Sequence, residues 1–88
     1  MKHKKLVSVE WKDATFFSDD YSEEDIKKLI PTLCKNVGFL IAKDKHYIRI
    51  AAQWSFTPNA QQQIDYSEIT IIPKSWVTKI TVLEEENI

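Results

Sequence analysis

The segment SEITIIPKSWVTKITVL, residues 67–83, sets two β-rich runs on either side of one Pro-led turn. Ile69, Ile71 and Ile72 precede Pro73, and Val77, Ile80 and Val82 follow Trp76. Apolar alternation interrupted by Pro-Lys-Ser-Trp reads as strand, corner, strand, and so short a link swings the apolar side chains of one run onto those of the next. Such a corner belongs to a small barrel. The expected fold is therefore mainly β, a five-stranded small barrel formed by residues 1–88 as a single domain.

Upstream of the corner, the run from about Ile64 to Ile72 is the fourth strand, and Val77–Leu83 is the fifth, followed by an acidic tail over 84–88. The polar stretch TPNAQQQ, residues 57–63, reads as a loop, with Pro58-Asn59 as its turn signal. Before it, Phe39–Lys43 and His46–Phe56 form two strands around the turn Lys43-Asp44-Lys45. In the second of these, Ile48, Ile50, Ala52 and Trp54 share one face while Tyr47, Arg49, Ala51 and Gln53 share the other. Gly38 is the only glycine in the chain. It marks a place where the backbone bends or passes close to another segment, and a tight turn after the helix meets that need.

Nearer the start, residues 1–5 are basic and expected to fray, after which Val7, Val9 and Trp11 alternate with Ser8, Glu10 and Lys12. The first strand is placed at Leu6–Trp11. An acidic connector, ATFFSDDYSEED over residues 14–25, carries Phe16 and Phe17, whose rings are expected to plug the core beneath the loop. Ser22 stands three residues ahead of Asp25 in a capping-box-like helix start, with Glu23, Glu24 and Asp25 at the positive dipole end. Ile26, Leu29, Ile30 and Leu33 keep the spacing of one helical face, and Pro31 ends the regular helix near Ile30. One helix, Glu23–Ile30, is thus inserted between strands 1 and 2.

Composition narrows the function classes. With 43% hydrophobic and 28% charged residues the chain builds a core, which excludes wholesale disorder. A net charge of −1 argues against broad nonspecific binding to nucleic acid, because such binding rests on many cations displacing counterions. The single cysteine, Cys34, has no partner for an internal disulfide, and the first residues lack a secretory pattern, so a cytoplasmic location is expected. No run reaches the ~18 apolar residues of a spanning helix.

Catalytic and metal chemistry find no foothold in the motifs. His3 and His46 lie in no catalytic signature, and a chain with one glycine lacks a phosphate-cradling Gly-rich loop or a nucleophile elbow. Cys34, His3 and His46 are isolated from one another in sequence, and the cluster Asp19, Asp20, Glu23, Glu24 and Asp25 lacks the glycine-bearing spacing of a calcium loop. Catalytic, cofactor-binding and metal residues are therefore expected to be none.

The pieces VSVEWKDA, GFLIAKDKHYIRIAAQ and ITIIPKSWVTKITVL, in that order, resemble short proteins carried by bacteriophages and prophages with Sm-like five-stranded barrels. The resemblance touches roughly half the chain. Such barrels place a glycine-started hairpin of long bent strands after strand one and a one-turn connection before a short last strand, where Gly38 and Pro73–Trp76 fall. One departure is plain: the family helix usually precedes strand one. The resemblance implies a homo-oligomer in which strand four of one subunit joins strand five of the next, with Ile69, Ile71, Thr78 and Ile80 at the edges. If the chain is phage-encoded, the compartment is the host cytoplasm.

Three binding readings remain open. Small barrels hold single-stranded nucleic acid by stacking bases on aromatics beside cations, and Tyr47, Arg49, Lys74 and Trp76 are the candidate contacts. The same four residues suit a small nucleotide sequestered between subunits. A third reading is docking on a host protein through Phe16–Tyr21 and Gln61–Gln63. The expectation is a non-enzymatic binding and assembly module without a membrane partner.

Overall fold

The computed structural model describes residues 3–58 and 64–87. Five antiparallel strands, β1 (His3–Asp13), β2 (Thr32–Lys43), β3 (Tyr47–Phe56), β4 (Ile64–Pro73) and β5 (Val77–Asn87), form one sheet in the order β4-β3-β2-β1-β5. The α-helix α1 (Glu23–Ile26) lies between β1 and β2, and a 3-10 turn, Lys74–Trp76, joins β4 to β5.

Register and chain length together dictate the curvature. Pro73 sits opposite Tyr47, and Val77 sits opposite Trp11. In a flat sheet these two positions would lie about 19 Å apart across the strands and roughly 30 Å apart along them. Only Lys74–Trp76 intervene, a link able to reach at most about 14 Å. The sheet must fold over on itself. Ile48 and Ile50 of β3 and Ile72 of β4 thereby meet Val7 and Val9 of β1, and Trp11, Leu40 and Val77 pack against this cluster.

Folding over does not bring β4 and β5 into a ladder. The closed barrel expected from the alternation is thus corrected to a folded, open sheet with β4 at one edge and β5 at the other. Apolar side chains from the two runs do converge, since Ile72 is buried in the core and Val77 packs against it. Their backbones stay apart.

Gly38 marks the bend. Thr32–Phe39 of β2 pair with β1, whereas Phe39–Lys43 pair with β3, and the register shifts between Leu40 and Ala42 as a bulge does. A Cβ at Gly38 would stand 2.8 Å from the Ala51 carbonyl oxygen and 3.2 Å from its carbon, both backbone atoms. The tight turn expected here is corrected: Gly38 lies inside β2, and close approach to β3 is what excludes a side chain.

Several boundaries also move. β2 begins at Thr32 instead of Phe39, and α1 ends at Ile26 instead of Ile30. The N–H groups of Lys28 and Leu29 donate to the carbonyls of Asp25 and Ile26, so the helix tightens into a three-residue turn ahead of Pro31. Phe16 and Phe17 are exposed, 89% and 42%, and do not plug the core. The basic start is strand from His3 onward, and the acidic tail is strand as far as Asn87, because Lys5 and Lys4 pair with Glu85 and Glu86. Lys5 and Glu85 carry opposite charges at directly opposed positions, which favours the pairing. Most of the loop expected over 57–63 lies outside the described residues.

The molecule is elongated, 63 × 22 × 21 Å, with a radius of gyration of 17.7 Å where a compact chain of this length has about 12 Å. Beyond Ala51, β3 pairs only with β4, and this two-stranded ribbon carries Trp54 opposite Tyr66 and Phe56 opposite Ile64. Lys4 reaches back to it, its ammonium 5.8 Å from the Tyr66 ring. Within the ribbon's base Glu68 adopts a φ of 58°, a left-handed conformation that costs a non-glycine residue about 1 kcal/mol.

Replacing Gly38 with Ala forces a methyl against the Ala51 carbonyl and is expected to destabilise the fold by about 1–3 kcal/mol in urea titration. Phe16→Ser, at a fully hydrated position, is expected to leave the same titration within about 0.5 kcal/mol.

Candidate functional site

The β2–β3 hairpin is organised by one carboxylate. Asp44 Oδ1 accepts the backbone N–H of His46 and of Tyr47, each at 2.8 Å, and Oδ2 accepts from Arg49 Nη1 at 2.7 Å. The Asp44 N–H donates to the Tyr47 carbonyl at 3.0 Å, closing the turn. Asp is suited to this place because its short side chain reaches backbone N–H groups two and three residues on. Arg49 also lies over the Tyr47 ring, 5.3 Å from its centroid.

These donors act on the acid. The Arg49 hydrogen bond first, and the His46 and Tyr47 N–H groups after it, hold the Asp44 carboxyl well below its ordinary value of 3.8. Because the folded value is the depressed one, the stabilising contribution is complete above pH 3.8 and disappears as pH falls through the lowered value.

The 3-10 turn docks on this hairpin, since the Lys74 N–H donates to the His46 carbonyl at 2.8 Å. Tyr47, Arg49 and Lys74, three of the four candidate contact residues, are thus brought to one corner. Lys43, Lys45 and His46 are exposed beside them. Trp76, the fourth, turns toward β1, where its ring stacks on Trp11 at 6.2 Å with an 18° interplanar angle. Trp11 Nε1 donates to Asn36 Oδ1 at 2.8 Å, which fixes the lower ring. Trp76 therefore caps the end of the fold while 40% of it stays exposed.

Sequence reading identified the cations and rings but missed Asp44, Trp11 and Asn36 as the groups that position them. An Asp two residues before His46 in a hairpin turn is a readable signal for the first. The Trp11–Asn36 bond joins positions far apart in the chain and leaves no local signature.

The predicted edge residues occupy β4 and β5, the two edge strands. Ile69, Ile71 and Ile80 are 51%, 57% and 37% exposed. Thr78 sits in the register irregularity between Glu10 and Trp11, and its Oγ1 donates to the Glu10 carbonyl at 3.1 Å. Its hydroxyl bonds inward to β1.

Among the described residues no three His, Cys, Asp or Glu side chains converge as metal ligands, and no helix is long and apolar enough to cross a membrane. Comparison of the chain with protein-family models, curated proteins and solved structures returns no match.

An NMR pH titration is expected to show the His46 and Tyr47 amide resonances unmoved by Asp44 from neutral pH to about pH 4, then shifting as the carboxylate protonates below it. Asp44→Ala is expected to raise the exchange rate of both amides at neutral pH.

Proposed function

We propose that this protein is a non-catalytic binding and assembly module, a Sm-like folded sheet that joins copies of itself by pairing the β4 edge of one with the β5 edge of the next. One observation carries the reading. Strands β4 and β5 are consecutive in the chain yet form opposite edges of the sheet, each hydrogen-bonded to a neighbour on one side.

Open edges are templates for another strand, and proteins usually blunt them with charge, proline or brevity. Here both edges run ten residues or more, and they bear exposed Ile69 and Ile71 on β4 and exposed Ile80, Val82 and Leu83 on β5. Pairing them supplies backbone hydrogen bonds and removes apolar surface from water at about 25 cal/mol per Å². Because the two edges differ, the contact is head-to-tail, which generates a ring when the rotation closes. The resemblance to phage-borne Sm-like proteins supports the same arrangement. At the hairpin corner, Lys43, Lys45 and Lys74 present cationic groups to an anionic partner.

Size-exclusion chromatography with light scattering tests the reading. The native chain is expected to exceed its monomer mass of 10.3 kDa at micromolar concentration. Ile71→Lys with Ile80→Lys, both at exposed positions, is expected to lower that mass with an unchanged circular dichroism spectrum. A native chain that stays strictly monomeric overturns the proposal.

A further inference from the structure

We infer that the connector between β1 and β2, residues 14–31, is a docking arm whose receptor is the hairpin and 3-10 corner of a second copy of this chain. The contact is separate from strand-edge pairing, and either can fail without the other.

The connector is ordered by its own contacts. At its neck Thr15 Oγ1 lies 2.6 Å from Thr32 Oγ1 and accepts the Thr32 N–H at 2.7 Å. Phe17 and Tyr21 meet edge to face at 6.2 Å, and the Ser22 hydroxyl oxygen caps α1 by accepting the Asp25 N–H at 3.1 Å. The helix does not pack on the sheet: α1 has no buried residue and makes no more than marginal contact with any strand. Phe16, Ile26 and Ile30 are left in water, and Leu33 just beyond the neck is exposed as well. An ordered segment that holds apolar side chains outward gains stability once a second surface covers them.

Charge names that surface. The connector carries Asp19, Asp20, Glu23, Glu24 and Asp25 against Lys27 and Lys28, a net charge of −3. The corner carries Lys43, Lys45, Arg49 and Lys74 against Asp44, a net charge of +3. Exposed Tyr47 and Ile71 supply apolar surface beside those cations. An acidic apolar arm and a basic aromatic corner on one chain are complementary in both respects, and such complementarity steers association and rejects like-charged partners.

Single-stranded nucleic acid is the competing occupant of the corner. Stacking needs a free ring face, whereas the Arg49 guanidinium lies over Tyr47 and is itself held by Asp44. The whole chain also carries a net charge of −1. The acidic arm is the better match.

The experiment uses the full chain with Ile69→Lys and Ile80→Lys in place, both at exposed edge-strand positions outside the corner, so that strand-edge pairing does not contribute. Self-association in this background, followed by sedimentation velocity, is expected to weaken about tenfold as salt rises from about 50 mM to about 500 mM. Asp19→Lys, Asp20→Lys and Glu24→Lys together make an arm-reversed variant, and Lys43→Glu, Lys45→Glu and Lys74→Glu make a corner-reversed one. Each alone is expected to lose association, and the two mixed are expected to regain it. Phe16→Ser, which removes a fully hydrated ring, is expected to weaken association about tenfold with the fold intact. Mixed variants that stay apart while folded, or a Phe16→Ser chain that associates as before, overturn the inference. So does a labelled single-stranded RNA that binds the corner with an affinity the arm-reversed variant does not change, whereas displacement of the arm's contact by that RNA only at concentrations above the protein's own dissociation constant supports it.

Discussion

The shortness of the link between Pro73 and Val77 governs this molecule. Three residues connect opposite edges of a five-stranded sheet, and chain geometry leaves only one solution, a sheet doubled over until its first strand faces its third and fourth. The apolar cluster of Val7, Val9, Ile48, Ile50 and Ile72 is the result of that doubling. Gly38 makes it achievable, because the inner strand crosses the Ala51 carbonyl too closely for any side chain. The single glycine and the 3-10 turn at Lys74–Trp76 thus act on the same bend from its two sides.

The link also decides which surfaces come together. Carrying the chain past the β2–β3 hairpin lets Lys74 bond to His46, and carrying it on to β1 sets Trp76 on Trp11. A cationic, aromatic corner appears where no contiguous motif exists. The same path keeps β4 and β5 apart, so the core forms while both edges retain free ladder positions. A chain of this size hides only about 60–65% of the surface its unfolded state exposes, and the elongated shape lowers that share further.

Much of this was legible because strands announce themselves by alternation. Val7, Val9 and Trp11, or Ile48 and Ile50, place a strand and its buried face from a period of two residues, and a proline before a short polar turn places the corner. Other features escaped for identifiable reasons. Ile26, Leu29, Ile30 and Leu33 have helical spacing, but the turn after Ile26 tightens before Pro31 and Leu33 enters a strand, so the spacing describes no common face. A missing Cβ serves a tight turn and a close crossing equally well, and sequence alone favoured the turn at Gly38. Phe16 and Phe17 were read as core because aromatic rings usually are. Alternation puts Ile48 and Ile50 inward but not the rest of their face: Ala51 is buried while Ala52 and Trp54 are exposed, because β3 runs past β2 beyond Ala51, and alternation does not say whether the outermost backbones meet. At the corner, Tyr47, Arg49 and Lys74 were visible as residue types, whereas Asn36 beneath Trp11 depends on a contact between remote positions.

The order of strands has a bearing on biosynthesis. β1 is made first, and one of its two partners, β5, is made after every other strand, with His3 matched to Asn87. While the intervening strands are translated, β1 has β2 on one flank and nothing on the other, so the nascent chain presents a bare ladder beside the core residues Val7 and Val9. Non-local pairing of this kind slows folding and prolongs exposure to aggregation. The like-charged runs at the two ends, lysines on β1 and glutamates on β5, keep each strand from annealing to its own kind in the meantime and draw the two together once both exist.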